Sequence, residues 1–179
     1  VSALADVHTL TLSHCTKLDD VSMLGRVRNL RLDKCQRVVG LSGLGGVHTL
    51  VVENCYRVKN VTALGRVYDL TLTKCYDLED VSNLGGVHTL VIAFCRVFDV
   101  SALHGVHTRC LEACPCLTNV SMLGAVQDLR LEFCCGVDDV AALDTVKHLS
   151  ILECSRIPAD CLRPRPTFVY APYRGHRYR

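Results

Sequence analysis

Hydrophobic residues along this chain recur in steps of three, broken once per cycle by a step of two. In the cycle that opens at Val21, apolar residues or cysteine fall at Val21, Leu24, Val27, Leu30, Leu32, Cys35 and Val38, and the next cycle opens at Leu41. An amphipathic helix needs steps of three and four, and a half-buried strand needs sustained steps of two. Neither fits, so the pattern predicts one short strand per cycle, carried by Leu30-x-Leu32, with a turn on each side. Cycles start at Val1, Val21, Leu41, Val61, Val81, Val100, Val120 and Val140, each 20 residues long except the fifth, which has lost one residue between Cys95 and Val97. One strand in a period of this length is the signature of a solenoid, whose units bury their inward residues only against their neighbours. The pattern predicts an array at 1–157 followed by an irregular basic segment at 158–179.

Between strands the sequence runs as in Asp20-Val21-Ser22-Met23-Leu24-Gly25. A Ser or Thr follows the first apolar residue in most units (Ser2, Ser22, Ser42, Thr62, Ser82, Ser101, Ser121), which predicts a hydroxyl capping one short helical or 3-10 turn. Glycines 25, 45, 65, 85 and 124 then predict the end of that turn in a positive-φ conformation.

The phrase Val7-x-x-Leu10-x-Leu12-x-x-Cys15 returns as Val47-x-x-Leu50-x-Val52-x-x-Cys55 and Val67-x-x-Leu70-x-Leu72-x-x-Cys75. It resembles the leucine-rich repeat core L-x-x-L-x-L-x-x-N/C, in its cysteine-containing variety, over roughly residues 1–157. The resemblance implies an α/β-type leucine-rich-repeat solenoid, a horseshoe or arc with a parallel β-sheet on its concave face and short 3-10 or helical turns on its convex face. It also implies that the non-leucine residues of each strand face partners. Those columns offer Arg31, Asp33, Glu53, Glu112, Arg130 and Glu132 as polar contacts, and Val91, Phe94, Cys110 and Phe133 as an apolar cluster across units five to seven. The implied function is a non-catalytic scaffold for a protein partner. Cysteine-type repeats of this kind also resemble the substrate-recognition parts of ubiquitin ligases, although no F-box is visible.

Chemistry-bearing residues change this picture little. Cysteines 15, 35, 55, 75, 95, 114, 134 and 154 share one repeat position, where a small buried residue with a weak donor serves packing. A straight ladder of thiols does not converge on a tetrahedral metal, so neither metal nor cofactor is expected, with Cys110, Cys116, Cys135 and Cys161 outside the ladder. His8, His48, His88 and His107 precede the strand in Val-His-Thr phrases and are expected as exposed edge residues, three of them in alternate units. No phosphate loop or nucleophile elbow is present, and the expected class is not an enzyme.

The net charge of +2 conceals an asymmetry: residues 161–179 hold five arginines and no acid, leaving 15 bases against 18 acids before them. With Phe168, Tyr170, Tyr173 and Tyr178 this tail is a candidate for binding nucleic acid or an anionic surface. Without a membrane-length apolar run or a signal-like leader, the expectation is an intracellular, cytoplasmic protein. One residue breaks the pattern. Arg109 takes the leucine position of unit six, where it is expected to snorkel outward or pair with an acid.

Overall fold

The computed structural model describes Leu4 and residues 7–158. Eight five-residue strands recur along it: β1 (Thr9–Ser13), β2 (Asn29–Asp33), β3 (Thr49–Glu53), β4 (Asp69–Thr73), β5 (Thr89–Ala93), β6 (Thr108–Glu112), β7 (Asp128–Glu132) and β8 (His148–Leu152). They form one parallel sheet in chain order, each strand paired with the next. Register follows the sequence period, so that Leu30 pairs with Leu50 and Leu70 with Leu90. The shortened fifth unit keeps this alignment, with Leu90 opposite Arg109, because its missing residue is taken from the loop after Cys95 and not from the strand.

The steps of three now have a physical cause. Leu24 N–H donates to the Val21 carbonyl, Val27 N–H to Leu24, and Val38 N–H to Cys35, each an i to i−3 bond. A 3-10 turn has three residues per revolution, so residues three apart point the same way and enter the core together. Short 3-10 segments such as Ser22–Leu24, Thr62–Leu64 and Ser101–Gly105 occupy the side away from the sheet. One apolar cluster runs from Val21 to Ile157, while Leu4, Leu10, Leu12, Cys15 and Leu18 of unit one are only partly buried against it.

Two expectations about these turns are corrected. Ser and Thr hydroxyls do not cap them; the residue two places earlier does. Asp20, Asp80, Asp99 and Asn119 accept the backbone N–H of Ser22, Ser82, Ser101 and Ser121 at 2.8–2.9 Å, and Asn60 accepts both the N–H and the hydroxyl of Thr62. These are Asx turns, in which a short carbonyl-bearing side chain satisfies an otherwise orphan donor. The same bonds hold the Asp20, Asp80 and Asp99 carboxyls below the usual aspartate range. Asn60→Ala is therefore expected to cost about 1 kcal/mol in denaturant unfolding, whereas Thr62→Ala, which leaves the N–H acceptor in place, should cost less.

The turn glycines are the second correction. Gly25, Gly65 and Gly85 have φ between −62° and −65°, ordinary right-handed geometry, and among the described glycines only Gly43 has positive φ. What excludes a side chain is proximity: a Cβ on Gly65 would stand 2.3 Å from the Asn83 carbonyl oxygen of the next turn.

Candidate functional site

Positive φ appears instead at the residue that leaves each strand. His14, Lys34, Asn54, Lys74, Phe94, Ala113, Phe133 and Glu153 all have φ between 47° and 57°. Each of the first seven donates its N–H to the last strand residue of the next unit, as Phe94 does to Glu112 and Phe133 to Leu152 at 2.9 Å. This bond extends the sheet by one rung while the left-handed residue swings the chain inward to the cysteine that follows. The side chain at the bend is left at the rim of the sheet, which accounts for Phe94 at 40% and Phe133 at 47% exposure. Ala113 lies between them in the same column, and Lys74 Nζ sits 5.7 Å from the Phe94 ring centre. Val91 and Cys110, paired across β5 and β6, are half-buried on the adjoining sheet face.

Of the polar candidates, Asp33 and Glu112 are half-buried on that face. Asp33 accepts the Ser13 hydroxyl at 3.0 Å and the Asn54 amide at 2.9 Å. Glu53 and Glu132 are buried, and each is held by an arginine, Arg31 and Arg130 respectively, whose side chains remain 42% and 43% exposed. The two glutamates thus present no free carboxylate. They fix arginines that do face outward.

A second column, not among the sequence-based candidates, lies at the opposite rim. His48, Tyr68, His88 and His107 stack ring on ring, with centroids 5.0, 4.4 and 4.9 Å apart. Histidines in alternate units had implied isolated edge residues, but Tyr68 completes the row and strand spacing brings the rings into contact. The signal was present at that repeat position, hidden by the change of residue type. Next along the rim, Asp128 of β7 pairs with His148 and accepts the Thr108 hydroxyl at 3.4 Å, with His107 Nδ1 4.0 Å away.

Inside the array, each ladder cysteine from Cys35 to Cys154 places its Sγ–H within reach of two carbonyl acceptors. For Cys55 these are Leu32 of the preceding strand at 3.8 Å and Glu53 of its own at 3.4 Å. All cysteines among the described residues are free thiols. Burial pushes Cys55 and Cys114 up to about 12 and Cys110 to about 11, so these thiols are neutral and non-nucleophilic. Among the described residues no three His, Cys, Asp or Glu side chains are grouped to hold a metal ion.

Arg109 corrects the expectation drawn from its position. It neither snorkels nor meets an acid: its exposure is 1%, one guanidinium nitrogen donates to the Val106 carbonyl at 2.9 Å, and the other two have no partner. Burial lowers it from its ordinary 12.5 to about 10. Residues 159–179, and with them Cys161 and the arginine-rich tail, lie outside the described residues. No helix among the described residues is long and apolar enough to cross a membrane.

Eight in-register parallel strands, tight 3-10 turns and a buried cysteine rung define a leucine-rich repeat solenoid with a cysteine ladder. Among solved structures the chain is similar to the leucine-rich repeat domain of the type III effector XopL, with a TM-score of 0.66 at 15% identity, over 89% of this chain and 69% of that one. An internalin from Listeria monocytogenes aligns with a TM-score of 0.47 at 15% identity, over 86% of this chain and 64% of that one. The functional domain of InlJ from the same organism, described as including a cysteine ladder, aligns at 0.39 and 15% identity, over 84% and 45%. No protein-family model matches the chain, and no curated protein sequence does.

Proposed function

We propose that this chain is a non-catalytic protein-interaction scaffold that engages a protein partner on the strand face of its sheet. The observation that carries this reading is the apolar strip Phe94, Ala113 and Phe133. Its two rings are held at the rim by a backbone bend that repeats in every unit, so their exposure is built into the scaffold. Val91 and Cys110 continue the strip onto the sheet; Arg130, opposite Cys110 on the next strand, borders it, and Arg31 stands three strands before Val91, each arginine anchored by a buried glutamate as an oriented donor. Preformed aromatic anchors beside immobilised arginines suit a protein surface, because little side-chain freedom is lost on binding.

Affinity capture from a source-cell lysate tests this with three baits: the intact chain, Phe94→Ser/Phe133→Ser, and a chain stopped after Asp160. The expected result is a protein partner retained by the truncated bait and reduced about tenfold or more by the phenylalanine pair. Retention by that pair with loss on truncation, above all of nuclease-sensitive material, would move the activity to the tail.

A further inference from the structure

We propose that the amino-terminal rim of the sheet, the column Arg28, His48, Tyr68, His88 and His107, is a second docking edge that takes an extended acidic polypeptide segment lying across the strands. This rests on reading the sheet as the interaction surface but uses the rim opposite Phe94 and Phe133.

The four rings stack in succession with their planes close to parallel, at interplanar angles of 25°, 7° and 10°. Their inner faces are occupied by one another, so between the two ends of the row only ring edges are open to a ligand. Each imidazole is oriented by its Nδ1, which meets the hydroxyl of the following threonine: Thr49 at 3.3 Å, Thr89 at 3.3 Å and Thr108 at 3.2 Å. The Nε2 atoms of these histidines have no hydrogen-bond partner among the described residues. The row thus offers one unclaimed polar ring edge per rung, ~4.8 Å apart, on side chains whose freedom is already spent.

Charge decides the ligand. Arg28 stands exposed at the end of the column and Arg66 on the turn beside Tyr68, neither with an acid partner among the described residues. Single-stranded nucleic acid is the less suited anion for two reasons. Closed ring faces deny bases the stacking on which such binding relies. Asp69 stands next to Tyr68 in the adjoining column, between Thr49 and Thr89, and before residue 161 the chain carries 18 acids against 15 bases. A uniformly charged backbone must pass that aspartate, whereas a peptide can set a neutral residue against it.

The test is an amide NMR titration of the full chain with a peptide of alternating glutamate and glycine, its glutamine counterpart, and an oligouridylate of matched charge. The glutamate peptide is expected to shift the amides of His48, Tyr68, His88 and His107, and the glutamine peptide to leave them unmoved. Arg28→Gln/His48→Gln/His88→Gln should weaken the glutamate peptide about tenfold while Phe94→Ser/Phe133→Ser binds it unchanged. Shifts confined to residues 161–179, unchanged affinity in the triple variant, or tighter oligouridylate binding through the same amides would each overturn the proposal. Should the phenylalanine pair still govern lysate capture after such a result, the scaffold reading survives and only this edge falls.

Discussion

Arg109→Leu is expected to stabilise the protein by about 3 kcal/mol, raising its melting temperature by roughly 6–12 °C. A guanidinium held at about 10 rather than 12.5 in the folded state represents about that much destabilisation near neutral pH. Two of its nitrogens are buried with no partner, so a single bond to Val106 is its whole compensation. Leucine is the residue found at the equivalent position in the paired strands, Leu90 before it and Leu129 after it, so the cavity is already shaped by leucine neighbours. The sign of the pH dependence follows. The folded value is the lower one, so between about 10 and 12.5 the unfolded chain binds more protons and wild-type stability rises with pH. The gap between wild type and Arg109→Leu should therefore be full at pH 7 and narrow above about pH 10. Parallel denaturant titrations of the two proteins across that range measure it, and a variant less stable than wild type at pH 7 would refute the account.

The repeat was legible because it rests on inward residues, and these obey a simple periodicity. Leu30, Leu32 and Cys35 are buried where their spacing places them, and the register of Leu30 with Leu50 could be read directly from the period. Features that depend on the next unit were not legible. The spacing of Gly65 is set by a carbonyl 18 residues away in sequence, and the Ser22 turn is closed by Asp20, whose role the more familiar serine cap obscured. Side-chain pairing across rungs was hidden in the same way: Glu53 reads as a surface acid until Arg31 of the preceding strand is seen to hold it. The ring column needed both levels at once, because His48, Tyr68 and His88 share a repeat position without sharing a residue type.

Gly65→Ala tests the same neighbour-dependent geometry with opposite expectations at two sites. Alanine suits a right-handed turn residue at φ −62°, and local propensity alone favours it by about 1 kcal/mol. Proximity opposes it, since the new Cβ would lie 2.3 Å from the Asn83 carbonyl oxygen, an atom of the backbone that cannot rotate away. One turn must then move off the next, and because each unit is held only by its neighbours, that displacement loosens the Leu64 and Leu84 contacts in the core. The expected net loss is about 2–3 kcal/mol. Gly40→Ala is the contrast: its φ is not positive and the nearest atom to an added Cβ is the Asn60 Cβ at 3.8 Å. With space available, the change should be neutral or stabilise by up to about 1 kcal/mol through the unfolded chain. Equal effects at the two glycines in equilibrium unfolding would show that turn stacking is more compliant than these distances imply. A loss confined to Gly65 would show that the pitch of the solenoid is set where its turns meet as well as by its strands.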